Sequence, residues 1–370
     1  MRLPNDAAQI RLAQMRLARS AEQEQFAAAL HEMLTDADVP GADSEPGGDG
    51  ALRAPRRWAA GDHGPGLALW RTLAGLGVTA LAVPEHCGGF GATPSDVVVA
   101  CEELGHHAVP GPVAESVAAV PQLLAALSDE PPRDEHPCAG WLRGLAAGEL
   151  IATLAMPPRL PYAADADAAG LVLLVEADAV YLGGVPGARH QSVDGTRWLF
   201  EVCGGQMLAR GPAVAVAAAR ALDFGALASA AQLLGAGRAM LEASVRHARQ
   251  RVQFGRPIGA FQAVKHHLAD VAIRLEFARP LLDAAAIALA DGSPTASRDV
   301  SAAKVACADA AYLTARAALQ VHGAIGYTQE HDLGLWLTKV RALVPAWGTQ
   351  AEHRALVMAA LTGEGGTPWS

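Results

Sequence analysis

The sequence predicts a mostly α chain with a small β-domain, divided into an N-terminal helical domain over 1–149, a short antiparallel β-domain over 150–211 and a C-terminal helical bundle over 212–370. Three observations predict it. Hydrophobic residues make up 51% and charged residues only 18%, a balance that, with abundant Ala and Leu, suits helices with wide apolar faces. Apolar residues recur every 3.6 positions on both sides of a middle stretch. Only in that middle stretch do short β-like runs appear, punctuated by Pro, Gly and Asp. A chain of 370 residues buries a large core, split into two or three domains.

The elements follow in order. Ser20 and Gln23 form a capping-box pattern ahead of FAAALHEML, an amphipathic helix. Gly41 to Pro55, rich in Gly, Pro and acidic residues, reads as a mobile loop. Helical spacing resumes over Leu67 to Leu76, and Val78 to Pro84 is an apolar run closed by proline. HCGGFG, His86 to Gly91, is a glycine-rich turn, and Ser95 to Gly105 reads as a buried helix with Gly105 as its C-cap. The β-like runs are Ile151–Ala155, Leu171–Val175, Ala179–Leu182 and Trp198–Val202, together short for a closed barrel. Helices return over 212–251, 260–291, 297–323, 331–344 and 349–362, several apolar nearly all round, as in a bundle or at subunit contacts. The tail from Gly363 reads as frayed.

Composition excludes several classes of partner. The net charge of −9 gives no general attraction to nucleic acid or anionic membranes. No apolar run has membrane-spanning character. Cys87, Cys101, Cys138, Cys203 and Cys307 show no metal-binding or redox spacing, so neither a disulfide framework nor structural zinc is expected, and the cytoplasm is the expected location. No His, Cys or acidic set is spaced as a metal site. His266 and His267 read as polar positions on a helix. Arg2, Arg11, Arg16 and Arg19 give the N-terminus a faint transit-peptide look, but Asp6 interrupts it and an amphipathic extension is the simpler reading.

Two stretches carry chemistry. RVQFGRPIGAFQ, Arg251 to Gln262, places Arg251 and Arg256 about a turn made by Gly255 and Pro257. Fixed guanidinium groups beside exposed backbone N–H groups suit a diphosphate. QVHGAIGYT, Gln320 to Thr328, closes a helix at Gly323, where glycine lets backbone approach a ligand. Taken singly, each residue also has a structural reading: Arg251 as a helix cap, Phe254 as core, Gly323 as a helix stop and His322 as a packing residue.

Taken together with LAVPEHCGGFGA (Leu81 to Ala92), Glu102-Glu103-Leu104-Gly105 and the helix GAGRAMLEASVRHARQ, these stretches resemble the acyl-CoA dehydrogenase family, most closely the non-catalytic subunit of actinobacterial heteromeric enzymes. The resemblance covers roughly 65–150 and 210–360 and is thin between them. It implies the acyl-CoA dehydrogenase fold, FAD as cofactor, an acyl-CoA substrate, a tetrameric assembly and, as the usual acceptor, an electron-transfer flavoprotein. It also assigns Arg251, Gln253, Phe254, Gln262, Gln320, Gly323 and Thr349 to the diphosphate and adenosine end of a flavin seated mainly in a neighbouring subunit. Ala324 departs from the pattern, standing where the family usually has Gly.

The family's reaction removes a proton α to a thioester, which requires a carboxylate in a dry pocket. The resemblance places that Glu at one of two positions. The first is a YEGT-like segment, matched here by Ala346-Trp347-Gly348-Thr349, so Trp347 stands where Glu is expected. The second lies within Leu222 to Leu227, where the matching residue is Gly225, followed by Ala226. Neither residue accepts a proton, so the catalytic base is unknown. The family's flavin-ring segment TEPxxGSD finds only Thr153-Leu154-Ala155-Met156-Pro157, and its Trp-containing strand has no evident counterpart.

Three functions follow. The first is a base-lacking partner in a heteromeric α,β-dehydrogenase of acyl-CoA thioesters, as in lipid or steroid catabolism, paired with a related subunit. The second is an active homo-oligomer with a relocated base, the candidates being Glu330, Glu352 and Asp223. The third is a flavin-free acyl-binding or scaffold paralogue. The small residues Gly225, Ala226 and Ala228 suggest space for a bulky acyl group.

Overall fold

The computed structural model describes residues 17–37, 54–128, 137–328 and 331–363. The expected N-terminal extension before residue 17, residues 41–53 of the expected mobile loop, Glu330 and the tail beyond Gly363 lie outside the described residues. Ala54 and Pro55, placed in that loop by the sequence, are instead buried at the start of a helix.

Helix α1 (Ala21–Asp36) begins with the capping box expected from Ser20 and Gln23. Two helices, α2 (Ala54–Ala59) and α3 (Gly64–Gly75), lead through 3₁₀ turns to α4 (Pro94–His106), which a Thr93–Asp96 capping box opens. Then come α5 (Val120–Ser128) and α6 (Pro137–Ala146). Seven strands follow: β1 (Ala152–Ala155), β2 (Ala163–Ala164), β3 (Leu171–Glu176), β4 (Ala179–Gly183), β5 (Arg189–Gln191), β6 (Trp198–Phe200) and β7 (Gly204–Arg210). They form one sheet ordered β1-β3-β4-β7 and a second ordered β2-β6-β5. Every pairing among them is antiparallel except β1–β3, which is parallel, because residues 156–170 cross over where a tight hairpin would be needed to reverse the chain. β2, β5 and β7 lie outside the expected runs; β7 opens on two glycines and is largely exposed, so it lacks the alternation that marks a half-buried strand.

Helix α7 (Pro212–Gln250) is the axis of the molecule, with α8 (Gln262–Ala290) and α9 (Ala296–His322) packed along it and α10 (Leu333–Leu343) and α11 (Gln350–Thr362) completing the helical part. α7 is long and apolar enough to cross a membrane by length and composition, yet 72% of its most apolar window is buried inside the protein, the situation of a core helix. Near its centre α4 crosses it closely. A Cβ at Gly105 would lie 2.2 Å from the Gln232 carbonyl oxygen, and one at Gly235 only 1.9 Å from that of Glu102. Gly105 therefore lies within α4 as a close-approach residue; the helix is capped two positions on, at His107.

That crossing is pinned by Glu102. Its buried carboxylate accepts from Arg238 on α7 at 2.5 Å, from both Nη atoms of Arg279 on α8 at 2.7 and 2.9 Å, and from Arg19. Burial opposes the charge, but the three guanidinium groups outweigh it and hold the carboxyl at about 2.

Candidate functional site

The Arg251 stretch is a hairpin at the end of α7. Val252–Gln253 (β8) pairs with Arg256–Pro257 (β9), and the two residues between, Phe254 and Gly255, have φ of 54° and 77°, as a two-residue primed turn requires. Arg251, Gln253, Phe254, Arg256 and Gln262 are all exposed. Phe254 is 92% exposed, which removes its reading as core. The Arg256 guanidinium lies 4.2 Å from the centre of the Phe261 ring, and Phe254 meets the same ring edge-on at 6.1 Å. Phe261 and Gln262 open α8, whose N-terminus has no side-chain cap and lies beside Arg256. Such an end suits a phosphate.

The second stretch lies against the root of the first. α9 ends at His322, and Gly323 stops it with φ of 65°. His322 is buried, its Nδ1–H donating to the Ala318 carbonyl at 2.8 Å, and its ring packs 4.4 Å from that of His247 in the last turn of α7. Burial holds His322 down to about 4, so it is a neutral packing residue at physiological pH. Gln320, Gly323 and Ala324 are exposed beside it.

Thr349 does not join this group. It caps α11, its Oγ1 donating to Glu352 Oε2 at 2.7 Å. α11 is tied to α9 through His353–Ser301, Gln350–Asp309 and Arg354–Asp309. At ~1.5 Å per residue, Asp309 lies about 16 Å along α9 from Gln320.

The two expected base positions converge. A Cβ on Gly225 would fall 2.2 and 2.3 Å from Cζ3 and Cε3 of Trp347, so the indole lies directly against the α7 backbone. Trp347 is buried, at 1% exposure, with φ of 62°. Its carbonyl accepts from His353 Nε2 at 3.0 Å, while His353 Nδ1 accepts from Ser301 Oγ at 3.0 Å. The indole Nε1 is buried with no hydrogen-bond partner among the described residues. Space at Gly225, read from the sequence as room for an acyl group, is occupied by Trp347; Ala226 and Ala228 are fully buried.

The relocated-base candidates fare differently. The Glu352 carboxylate accepts from the backbone N–H and hydroxyl of Thr349, which holds it below its ordinary range, the reverse of what a base needs. Asp223 is buried and accepts from Ser297 Oγ at 2.6 Å. Sequence reasoning passed over Asp165, which burial raises to about 7. Its Oδ1 accepts from Trp58 Nε1 at 3.3 Å and from the Trp198 N–H at 3.0 Å, contacts that join α2 to β6. Thr153, in the counterpart of the ring-binding segment, is buried with Oγ1 unpartnered among the described residues.

Similarity to known proteins agrees with this geometry. Residues 20–149 match the family model for the acyl-CoA dehydrogenase N-terminal domain, and residues 214–362 match that for its C-terminal domain. The acyl-CoA dehydrogenase IpdE2 of Mycobacterium tuberculosis is 33% identical over 294 residues, 79% of this chain and 85% of that protein. FadE34 of the same organism, also an acyl-CoA dehydrogenase, is 34% identical over 73% of this chain and 39% of its own length. The fold superposes on butyryl-CoA dehydrogenase from Megasphaera elsdenii with a TM-score of 0.78 at 20% identity, covering 93% of this chain and 99% of that one. It superposes on one chain of the ChsE4–ChsE5 complex from M. tuberculosis with a TM-score of 0.73 at 22% identity, covering 94% of this chain and 98% of that one. The chain belongs to the acyl-CoA dehydrogenase family of oxidoreductases.

FAD is that family's cofactor, and it supplies the hydride acceptor when bound. The residues present fit it at one end: the uncapped start of α8, Arg251, Arg256 and the Gly323 turn offer donors to a diphosphate and adenosine. At the positions where the resemblance expects the base, the Trp347 indole packs on Gly225.

Proposed function

We propose that this chain is the base-lacking subunit of a heteromeric acyl-CoA dehydrogenase, lending the diphosphate and adenosine end of an FAD site to a related partner that supplies the ring pocket and the Glu. The observation that supports this reading is the packing of Trp347 onto Gly225: the two residues matched by resemblance to the base positions are in contact, and neither side chain accepts a proton. The exposed hairpin supports it, because Phe254 presents its ring to solvent for another surface to cover. So does the exposed stripe Ile273, Phe277 and Leu281 on α8, one residue per turn, which a partner helix would bury. The likeness to a two-protein complex, ChsE4–ChsE5, agrees with such a pairing. The five cysteines are free, in keeping with a reducing cytoplasm as the proposed location.

The test is expression of the chain alone and together with related acyl-CoA dehydrogenase chains. Alone, the purified protein is expected to hold little flavin and to leave acyl-CoA unoxidised. The pair is expected to carry one FAD per two chains and to desaturate the thioester, with Arg251→Ala releasing flavin from the pair. A chain that alone binds FAD stoichiometrically and turns over acyl-CoA would refute the proposal.

A further inference from the structure

At the C-terminal end of α4, three imidazoles and a carboxylate converge. His31 projects from α1, Glu103 and His106 from α4, and His107 caps α4. One donor atom from each of the four lies within 4.8 Å of the other three. The ring centres of His31, His106 and His107 form a near-equilateral triangle with sides of 5.1, 4.7 and 5.0 Å. Spacing in the sequence hides this set, since His31 and Glu103 are 72 positions apart.

We infer that His31, Glu103, His106 and His107 form a binding site for a divalent transition-metal ion of the zinc type, clamping α1 to α4. Three nitrogens and one carboxylate oxygen are a four-coordinate donor set for zinc. Bonds of ~2.0–2.1 Å in a tetrahedron place donor atoms about 3.3 Å apart. His31 Nδ1 already lies 3.0 Å from Glu103 Oε2 and 3.1 Å from His107 Nε2. Hydrogen bonding alone serves that arrangement poorly. A single proton on His31 Nδ1 cannot make a good bond to both atoms, and without it the nitrogen lone pair faces the Glu103 carboxylate. An ion shared by the three resolves the conflict.

His106 adds an independent indication. Its Nε2 lies 2.9 Å from Glu242 Oε2 on α7, while its Nδ1 is buried with no hydrogen-bond partner among the described residues. One ring nitrogen on a carboxylate with the other left for an ion is how metal-bound histidines are held. The nearby Arg19, Arg238 and Arg279 all meet Glu102, and Arg238 also reaches Glu103 Oε1 at 3.3 Å. The opposite oxygen of Glu103 is the one at His31. His107 and His106 are fully buried, whereas the His31 side chain is 36% exposed, so an ion can enter past it.

The experiment uses the untagged full chain, stripped with chelator and retitrated with Zn²⁺ and Co²⁺. One equivalent of metal per chain is expected, with visible d–d absorption from four-coordinate Co²⁺ and a rise in Tm with Zn²⁺. His31→Gln, at the partly exposed ligand, should fold and weaken binding about 10–100-fold; Glu242→Gln, outside the donor set, should weaken it about tenfold or more. His266→Gln/His267→Gln, at an exposed pair on α8, should leave it unchanged. A folded chain showing neither Co²⁺ absorption nor a Zn²⁺-dependent Tm, or binding that survives His31→Gln, overturns the inference.

Discussion

Gly225→Ala is the most direct probe of the contact between Gly225 and Trp347. The added methyl would sit 2.2 Å from the nearest Trp347 ring carbon, with two more ring atoms at 2.3 and 2.5 Å. The indole cannot swing away freely: it is buried, and its backbone is anchored through the Trp347 carbonyl to His353. Forcing one methyl into a packed site costs about 1–3 kcal/mol. Trp347→Ala removes the indole and costs about 3–5 kcal/mol through the cavity left behind. In Gly225→Ala/Trp347→Ala the methyl enters the vacated space, so the double variant should be less destabilised than the sum by about 1–3 kcal/mol. At ~2.1 cal/mol/K per residue over 370 residues, the unfolding entropy is about 0.8 kcal/mol/K, and 2 kcal/mol moves Tm by about 2–3 °C. Urea titrations of the four proteins, with a common m-value, give the coupling. Additive effects, or a Gly225→Ala variant within about 0.5 kcal/mol of wild type, would refute the packing of Trp347 on Gly225 and with it the reading of the base position.

Two further predictions concern the frame around the site. Glu102→Gln should cost about 3–5 kcal/mol, because it leaves three guanidinium groups short of their partner at a buried crossing. The folded Glu102 carboxyl lies below its ordinary 4.5, at about 2, so its stabilisation is complete above pH 4.5 and fades as the pH falls toward 2. His322 and His353 are likewise lowered by burial, from 6.5 to about 4; the unfolded chain takes up these protons first, so stability also declines as pH falls from 6.5 to 4. Glu102→Gln should flatten the wild-type pH curve only below pH 4.5, which urea midpoints across pH 3–8 would reveal. Thr349→Ala should destabilise by about 1 kcal/mol through loss of the α11 cap, while Glu352→Gln should leave the dehydrogenase rate of the assembled enzyme unchanged in a single-turnover assay.

The fold was legible wherever periodicity is strong. The five C-terminal helices fall within a residue or two of their expected limits because each carries a sustained apolar stripe. Ser20 and Gln23 announce one helix start through local chemistry, whereas the Thr93–Asp96 box opens α4 one residue before the expected Ser95. β7 and the parallel β1–β3 pairing were not legible, since pairing partners are set by the whole sheet. In the site, the exposed hairpin and the Gly323 turn follow from short-range signals. The contact between Gly225 and Trp347, the three-arginine clasp on Glu102 and the His31–His107 approach are long-range, and only tertiary packing creates them.

The geometry of Gly225 and Trp347 bears on the proposal that this chain lacks the base. A Glu at either position would reach the same spot, since the two positions are in contact. Here each residue permits the other. Any side chain at 225 would collide with the indole, and any smaller residue at 347 would leave a void against the α7 backbone. The spot has become part of the continuous core that includes Trp347, Phe224 and Ala226. Restoring a base therefore requires more than one substitution. Trp347→Glu alone would set a carboxylate against apolar neighbours with a cavity beside it, and burial would raise its pKa without supplying a substrate path. On the proposed reading the proton acceptor comes from a partner chain, and the start of α8 and Gly323 lie on the surface, where a second chain can meet them.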